Sequence, residues 1–390
     1  MQRRRVMLIV ETSLVYGREV LRGINRYVVA NEPWSIYVDL RELVVRPPAW
    51  LEKWEGDGII TRSTTPSLAE KLRALKIPTV DLTDIYGNQG LPQIGTNHEA
   101  VGKMGAQHLL ERGFRHFAFC GFTGHNWSTR RQEGFKAVVT KAGFDFHQYH
   151  SPWDTTTALT WDEQQSQIVR WLESLPRPIG IMACNDMRGQ HVLDACRRIS
   201  VAVPEEIAVI GVDNDELVCD LCDPPLSSIM PNPQRIGYEA AAMLDALMRG
   251  EEPKQMSKLI EPIGVVTRQS TDVLAIDDPL VASAVKYIRQ HACDGISVED
   301  VLKQVPVSRS ILERRFRKYI GRSPQSEIRA VQLKRVRQLL RETDLPLERI
   351  ATLAGYDHPE YMSVVFKREL GQTPGQYRTQ NVKGASRRFR

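Results

Sequence analysis

Residues 6–11 are apolar on both faces until Glu11, the pattern of a short strand buried on both sides. Helical spacing follows over residues 16–30, with Val20, Ile24, Tyr27 and Val28 on one face. The alternation continues with strands at 34–40 and 58–60, a helix at 66–75, a strand at 79–82 and a helix at 101–110. A strand at 117–120, a helix at 133–142, a strand at 179–183, a helix at 187–198 and a strand at 207–212 repeat the scheme. Strands taking turns with helices predict parallel sheets covered on both faces. The stretch is longer than one sheet needs, which predicts two α/β lobes with a cleft between them. Periodicity lapses over 265–279, where Asp277-Asp278-Pro279 marks a linker and a helix entry. Beyond it every segment reads as helix as far as about residue 376, and the basic end from Lys383 to Arg390 reads as disordered. The expected domains are a two-lobed unit at 1–271, a linker at 272–279, an all-α unit at 280–380 and a tail at 381–390.

The helical unit contains one pattern twice. Phe316, Gly321 and Ser323-Pro324 recur fifty residues later as Phe366, Gly371 and Thr373-Pro374. Each copy follows a short amphipathic segment, a turn and a second segment with polar residues, which predicts two helix-turn-helix units in tandem. Charge divides the chain the same way. Residues 281–390 hold 22 Lys+Arg against 11 Asp+Glu, a net of +11 in a chain of net +5, so residues 1–280 are net −6. A basic module joined to an acidic one suits a polyanion partner for the tail alone. A solvated basic surface would account for the charge but not for the repeat.

In the first unit Leu312, Phe316 and Tyr319 share an inward face. The outward face offers Arg309, Ser310, Glu313 and Arg314 to base edges, and Arg317 and Lys318 to phosphates. In the second unit Leu347, Ile350, Ala351 and Ala354 build the supporting helix, Gly355 makes the turn, and Glu360, Ser363 and Lys367 face outward. A helix over 328–340 separates the units, so the two reading helices must stand about 34 Å apart to enter successive major grooves.

The paired motif, together with Ala354-Gly355-Tyr356, resembles the AraC family DNA-binding domain over residues 280–378. That resemblance implies recognition of a double-stranded DNA operator. Two positions depart from it. Pro306 stands in the first turn where the family usually has glycine, and Val364 stands where many members carry arginine.

In the front unit, polar groups cluster after strands: Cys184-Asn185-Asp186 after 179–183 and Asp213-Asn214-Asp215 after 207–212. The carboxyl ends of parallel strands are where open α/β sheets bind ligands. Tyr16, Phe122 and Trp127 add aromatics in comparable loops. Carboxylate, amide and guanidinium beside an aromatic face suit a sugar, although a lone Asp or Asn is more often a helix cap. The segments Arg131-Gln-Glu-Gly134-Phe135, Ala183-Cys-Asn185-Asp186, 209–214, 225–229 and 266–271 resemble the LacI/GalR-type sensor fold. By that resemblance Arg131, Asn185 and Asp213 hold ring hydroxyls, with Tyr16 and Trp127 completing the effector site. Pro231 replaces a residue that often makes a polar contact there. No helix-turn-helix is read ahead of Val6, so DNA recognition is expected from the tail.

A LacI-like sensor followed by an AraC-like reader resembles regulators of pentose utilisation. The implied effector is a small sugar, xylose or another pentose, and the implied output is activation by a homodimer with RNA polymerase as a candidate partner. Sugar is expected to close the lobes because Asp213 and Arg131 gain contacts only when the lobes meet. The alternative is a sugar-binding module whose basic tail docks a protein. Enzyme chemistry is not expected. His125 near Asp154 and His98 beside Glu99 lack a nucleophile–base–orienter spacing, and no phosphate loop or metal-ligand cluster is read. The reading includes no cofactor and no metal. Cys219 and Cys222 have redox or zinc spacing without a second pair nearby, and the six scattered cysteines suit a reducing cytoplasm. No run is long and apolar enough to cross a membrane.

Overall fold

A computed structural model describes residues 3–41, 50–62, 64–83, 85–153, 160–253, 255–272, 278–343 and 345–379. The basic end at 380–390, most of the linker and Asp154 lie outside the described residues. The chain divides into two units, Met1–Val273 and Leu274–Arg390.

The first unit contains two parallel-sheet lobes. The first lobe is built from β1 (Arg5–Glu11), α1 (Val15–Ala30), β2 (Ser35–Arg41), β3 (Gly58–Thr61), α2 (Pro66–Leu75), β4 (Thr79–Asp81) and β5 (Gln93–Thr96). The chain then crosses through α3 (His98–Leu110) to β6 (His116–Thr123), α4 (Asn126–Lys141), β7 (Phe146–Pro152), α5 (Trp161–Glu173) and β8 (Ile179–Ala183). The second lobe continues with α6 (Asp186–Arg198), β9 (Ile207–Val212), α7 (Glu216–Leu221) and β10 (Ser227–Met230). Helix α8 (Pro233–Met248) returns to the first lobe, where β11 (Ser257–Ile260) joins its sheet, and β12 (Gly264–Val266) goes back to the second. The sheets run β11-β5-β4-β3-β1-β2 and β12-β10-β9-β8-β6-β7, parallel except for β12 against β10. The chain therefore passes between the lobes three times, and residues from both lobes meet where it crosses.

Two reciprocal glycine contacts set how helices lie beside the crossings. A Cβ on Gly102 of α3 would meet Arg131 O at 2.0 Å, and one on Gly134 of α4 would meet Glu99 O at 2.1 Å. Only bare backbone permits that approach, and it seats the middle of α4 directly against the crossing helix α3.

Several elements start earlier than their apolar spacing suggests. Helix α4 begins at Asn126, not at 133, so Trp127 and Arg131 are helical; Tyr16 also lies in a helix, α1, and Phe122 within β6. None of the three aromatics is in a loop. Their turns are polar or aromatic, which hides the helical period. Residues 264–271 belong to the second lobe and not to a linker. Ser270 and Thr271 are buried; Ser270 Oγ donates to Val209 O at 2.6 Å, and His108 Nε2 lies 2.8 Å from Thr271 Oγ1.

The second unit is helical among the described residues: α9 (Pro279–His291), α10 (Val298–Gln304), α11 (Arg309–Ile320), α12 (Pro324–Glu342), α13 (Leu347–Leu353) and α14 (Pro359–Leu370). Asp278 caps α9, with Pro279 as its first residue. The repeated motif is a stop-and-restart signal. Gly321 and Gly371 end α11 and α14 at φ 75° and 72°, Ser323 caps α12 ahead of Pro324, and Thr373 Oγ1 accepts from Gln376 N at 3.2 Å ahead of Pro374. Phe316 and Phe366 are completely buried. Pro306 is accommodated because the first turn uses no left-handed residue: Val307 N donates to Val305 O at 2.9 Å, an inverse γ-turn whose centre suits proline. The second turn does use one, Gly355 at φ 76°. Gln332 of α12 joins the two halves, its Nε2 donating to Ala292 O and to Gly355 O, each at 3.0 Å. Among the described residues no helix is long and apolar enough to cross a membrane.

Candidate functional site

A cleft between the lobes of the first unit contains about 560 Å³ of unfilled space, part of it open solvent. Tyr16, Trp127, Arg131, Asn185 and Asp213 all line it. So do Leu14, Arg62, Thr83, Ile85, His98 and Trp153, which the sequence did not single out for binding. Tyr16, Arg62, Thr83 and Ile85 come from the first lobe and Trp127, Arg131, Trp153, Asn185 and Asp213 from the second, with His98 at the first crossing.

Arg131 is 3% exposed and bonded through each of its three nitrogens. Its Nε donates to His98 Nδ1 at 3.2 Å, Nη1 to Cys184 O, and Nη2 to Asp213 Oδ1 at 3.3 Å, while the guanidinium lies 5.0 Å from the Trp127 ring centroid. Arg131 and Asp213 both belong to the second lobe and already touch. Any contact that closure adds to them therefore comes from the first lobe. The groups that the first lobe turns to the cleft are held among themselves. Arg62 pairs with Glu11 at the end of β1 and lies 4.4 Å over the Tyr16 ring, and Tyr16 OH is 2.9 Å from Thr96 Oγ1. At the cleft mouth Asn126 N, the first amide of α4, donates across the lobes to Ile85 O at 3.0 Å.

Asn185 acts as a helix cap as well as a lining residue. Its Oδ1 accepts from Arg188 N at 2.9 Å, which leaves the amide nitrogen as its donor to a ligand. Asp213 and Asn214 sit at φ 105° and 49°, a region that ordinary side chains rarely adopt. Asp186 underpins that turn. Its Oδ1 accepts from Ser228 Oγ at 2.6 Å, Ser228 Oγ accepts from Asn214 N at 3.0 Å, and Asp213 N donates to Ile229 O at 3.0 Å. Burial, then the nearby Asp213 charge, pushes the Asp186 carboxyl up to about 8. Burial also raises the Asp213 carboxyl, against the pull of Arg131 and Arg62.

The aromatic wall is larger than Tyr16 and Trp127. Trp153 packs 4.5 Å from Phe122 and stands nearly perpendicular to Trp127 at 5.9 Å, and His125 stacks on Trp127 at 5.5 Å. Beneath it the buried Arg188 lies 3.9 Å over Phe122 and donates to Ser151 Oγ at 2.7 Å. Trp153 and Arg62 follow β7 and β3, so the rule that ligands gather at strand carboxyl ends could have found both. The strand Phe146–Pro152 was hidden by its polar, half-buried composition.

In the second unit Arg309, Ser310, Arg314, Arg317 and Lys318 are exposed on α11, and Glu313 is half-buried. Arg309 is tied to Glu299 and Glu313, exposed pairs that break cheaply. Arg315, one position from Arg314, points elsewhere and donates to Asp278 Oδ2 at 2.8 Å. On α14 Glu360 and Lys367 are exposed and Ser363 is half-buried.

Residues 5–96 match the XylR N-terminal domain, residues 106–271 a periplasmic binding protein-like domain, and residues 301–380 a helix-turn-helix domain. The chain is 35% identical over 382 residues to the xylose operon regulatory protein of Haemophilus influenzae, a match covering 96% of this chain and 98% of that protein. It is 33% identical over 390 residues to the protein of the same name from Escherichia coli K12, covering 97% and 98%. The solved structure of the xylose-binding transcription activator XylR is similar at a TM-score of 0.82 and 32% identity, covering 98% of this chain and 99% of that one.

Proposed function

Because the chain belongs to the family of xylose operon regulatory proteins, we propose that it is a sugar-responsive, DNA-binding transcription activator of pentose utilisation, with xylose as effector. The observation that carries this is the convergence of Arg131, Asp213, Asn185, Trp127 and Trp153 from one lobe with Tyr16 and Arg62 from the other on a single cleft. Asp213 and Arg131 supply an acceptor and donors for neighbouring hydroxyls, and the Asn185 amide adds a donor. The indole faces take the C–H face of a sugar ring. Tyr16 and Arg62 reach the same molecule from the opposite lobe, so the closed arrangement gains contacts that an open one lacks.

The output side is the pair of helix-turn-helix units. Arg309, Ser310, Glu313 and Arg314 read bases, Arg317 and Lys318 hold phosphates, and Glu360, Ser363 and Lys367 serve the second half-site. Two copies of the chain work as a homodimer in the cytoplasm, where sugar changes the spacing of four reading units and RNA polymerase receives the signal. Thermal unfolding against a panel of pentoses and hexoses tests the sensor. A ligand at a hundred times its Kd adds about 2.7 kcal/mol. A shift with D-xylose alone is expected. A shift with another sugar moves the pathway, and no shift with any removes the sugar reading. DNA affinity that falls steeply with salt is expected from the tail, whereas a tail that docks protein would show no such dependence.

A further inference from the structure

Helices α11 and α14 coincide end to end at an offset of fifty residues: Arg309–Ile320 maps onto Pro359–Leu370. Their inward residues correspond, Leu312 to Met362 and Phe316 to Phe366, all buried. Outward residues can therefore be compared position by position. Arg317 and Lys318 become Lys367 and Arg368, so the cationic end of each helix is kept. The middle of the face is not. Arg314 becomes Val364 and Ile311 becomes Tyr361, and these two stand 63% and 51% exposed on adjacent turns of α14. Arg329 Nη2 lies 3.4 Å from the Tyr361 hydroxyl, which orients that ring at the edge of the apolar strip.

We propose that the second helix-turn-helix reads thymine C5-methyl groups through Val364 and Tyr361, while the first reads guanine through Arg314, so each protomer binds an asymmetric pair of half-sites. The inference rests on the DNA-binding reading above. An apolar strip between an acid, Glu360, and two cations, Lys367 and Arg368, matches one feature of the major groove. Thymine methyls are the apolar groups that base edges present there, flanked by phosphates for the cations and by cytosine amino groups for the acid. Arginine at the same helical position in α11 forks onto guanine O6 and N7 instead.

The test uses the full-length protein and duplexes that it selects from a random pool. Loss of base discrimination in Arg314→Ala marks the first half-site. Each thymine of the other half-site is then replaced by deoxyuridine, which lacks the methyl. The expected result is a loss of about three- to fourfold at one or two positions, the scale of one buried methyl. Val364→Ala should bind the thymine and uracil duplexes equally at those positions, and Val364→Arg should shift the preference towards guanine. Indifference of the wild-type protein to every such replacement would overturn the proposal, as would undiminished discrimination by Val364→Ala. So would a Val364→Ala protein that binds normally but no longer activates transcription, because the strip would then dock a protein. Failure to select any duplex, with no salt dependence, would instead remove the DNA-binding reading on which the proposal stands.

Discussion

Asp186 Oδ2 accepts the backbone N–H of Asp215 at 2.8 Å, so a buried carboxyl on α6 holds the strained turn that presents Asp213 to the cleft. A Cβ on Gly211 would meet Asp186 Oδ1 at 2.3 Å, which shows how closely the carboxyl is seated against β9. The side chain that faces the cleft and the one that positions it come from successive strand ends.

Replacing Asp186 by alanine should leave the Asp215 amide and the Ser228 hydroxyl without their acceptor, at a cost of about 1–3 kcal/mol each. Asp186→Asn keeps the shape and an acceptor and should retain sugar binding. Urea unfolding with and without sugar measures both.

The same pair of proteins checks the pH dependence. The Asp186 carboxyl ionises near 3.8 in the unfolded chain and is pushed up to about 8 in the fold. Its contribution is therefore fully present below the unfolded value and is lost as pH rises through the folded one. The stability of the wild-type protein relative to Asp186→Asn should fall between about pH 4 and about pH 8. His108, lowered by burial to about 3, and His191, lowered by burial and Arg188 to about 4, act in the opposite sense in both proteins and cancel in the comparison.

Arg131→Ala should abolish the sugar response and destabilise the sensor by about 3–5 kcal/mol, because it leaves the Asp213 carboxylate without its partner. Arg131→Lys should recover part of the stability and little of the binding, since a single ammonium cannot serve His98, Cys184 and Asp213 together. Calorimetric titration with xylose and chemical unfolding separate the two effects.

Among adjacent arginines of α11 the outcomes should diverge. Arg314→Ala should cost about 1–3 kcal/mol at one base pair, and Arg317→Ala should lower the salt slope by about one at every sequence. Arg315→Ala should leave base discrimination intact and lower the melting temperature instead, because it removes the ion pair with the α9 cap. Operator titrations across salt, beside melting curves, distinguish all three.

Gly355→Ala and Gly371→Ala share a left-handed backbone but not the same surroundings. At Gly355 the new Cβ would meet Ala292 O at 2.6 Å, whereas at Gly371 nothing lies within 4 Å. The second substitution should cost about 1 kcal/mol of backbone strain, and the first clearly more, read as the difference in unfolding free energy.

The alternation of apolar runs in the front unit was legible because central strands such as Ile179–Ala183 and Ile207–Val212 are buried on both faces. The repeat was legible because each of its residues has a separate task in stopping or starting a helix. Arg62 and Trp153 have no periodicity of their own, and only their places just past strand ends point to them. The start of α4 was missed for a related reason: its first turn, Asn126-Trp127-Ser128-Thr129, carries ligand-facing and polar side chains rather than an apolar stripe. Asn185 could be read as cap or as ligand, and the structure makes it both. Helix α8 had a signal that went unread, the Asn232 cap followed by Pro233.

Gln332 of α12, by bonding Ala292 and Gly355 at once, ties the end of α9 to the turn of the second helix-turn-helix. A tandem reader tied in this way is expected to hold one pitch, to which the duplex conforms. Affinity then depends on base pairs between the half-sites that no side chain touches. Flexible TA or CA/TG steps in that spacer should tighten binding and a stiff A-tract should weaken it, on the scale of about 1–6 kcal/mol that bending a site of this length costs. Part of the address that this protein recognises is thus written in the elasticity of the DNA.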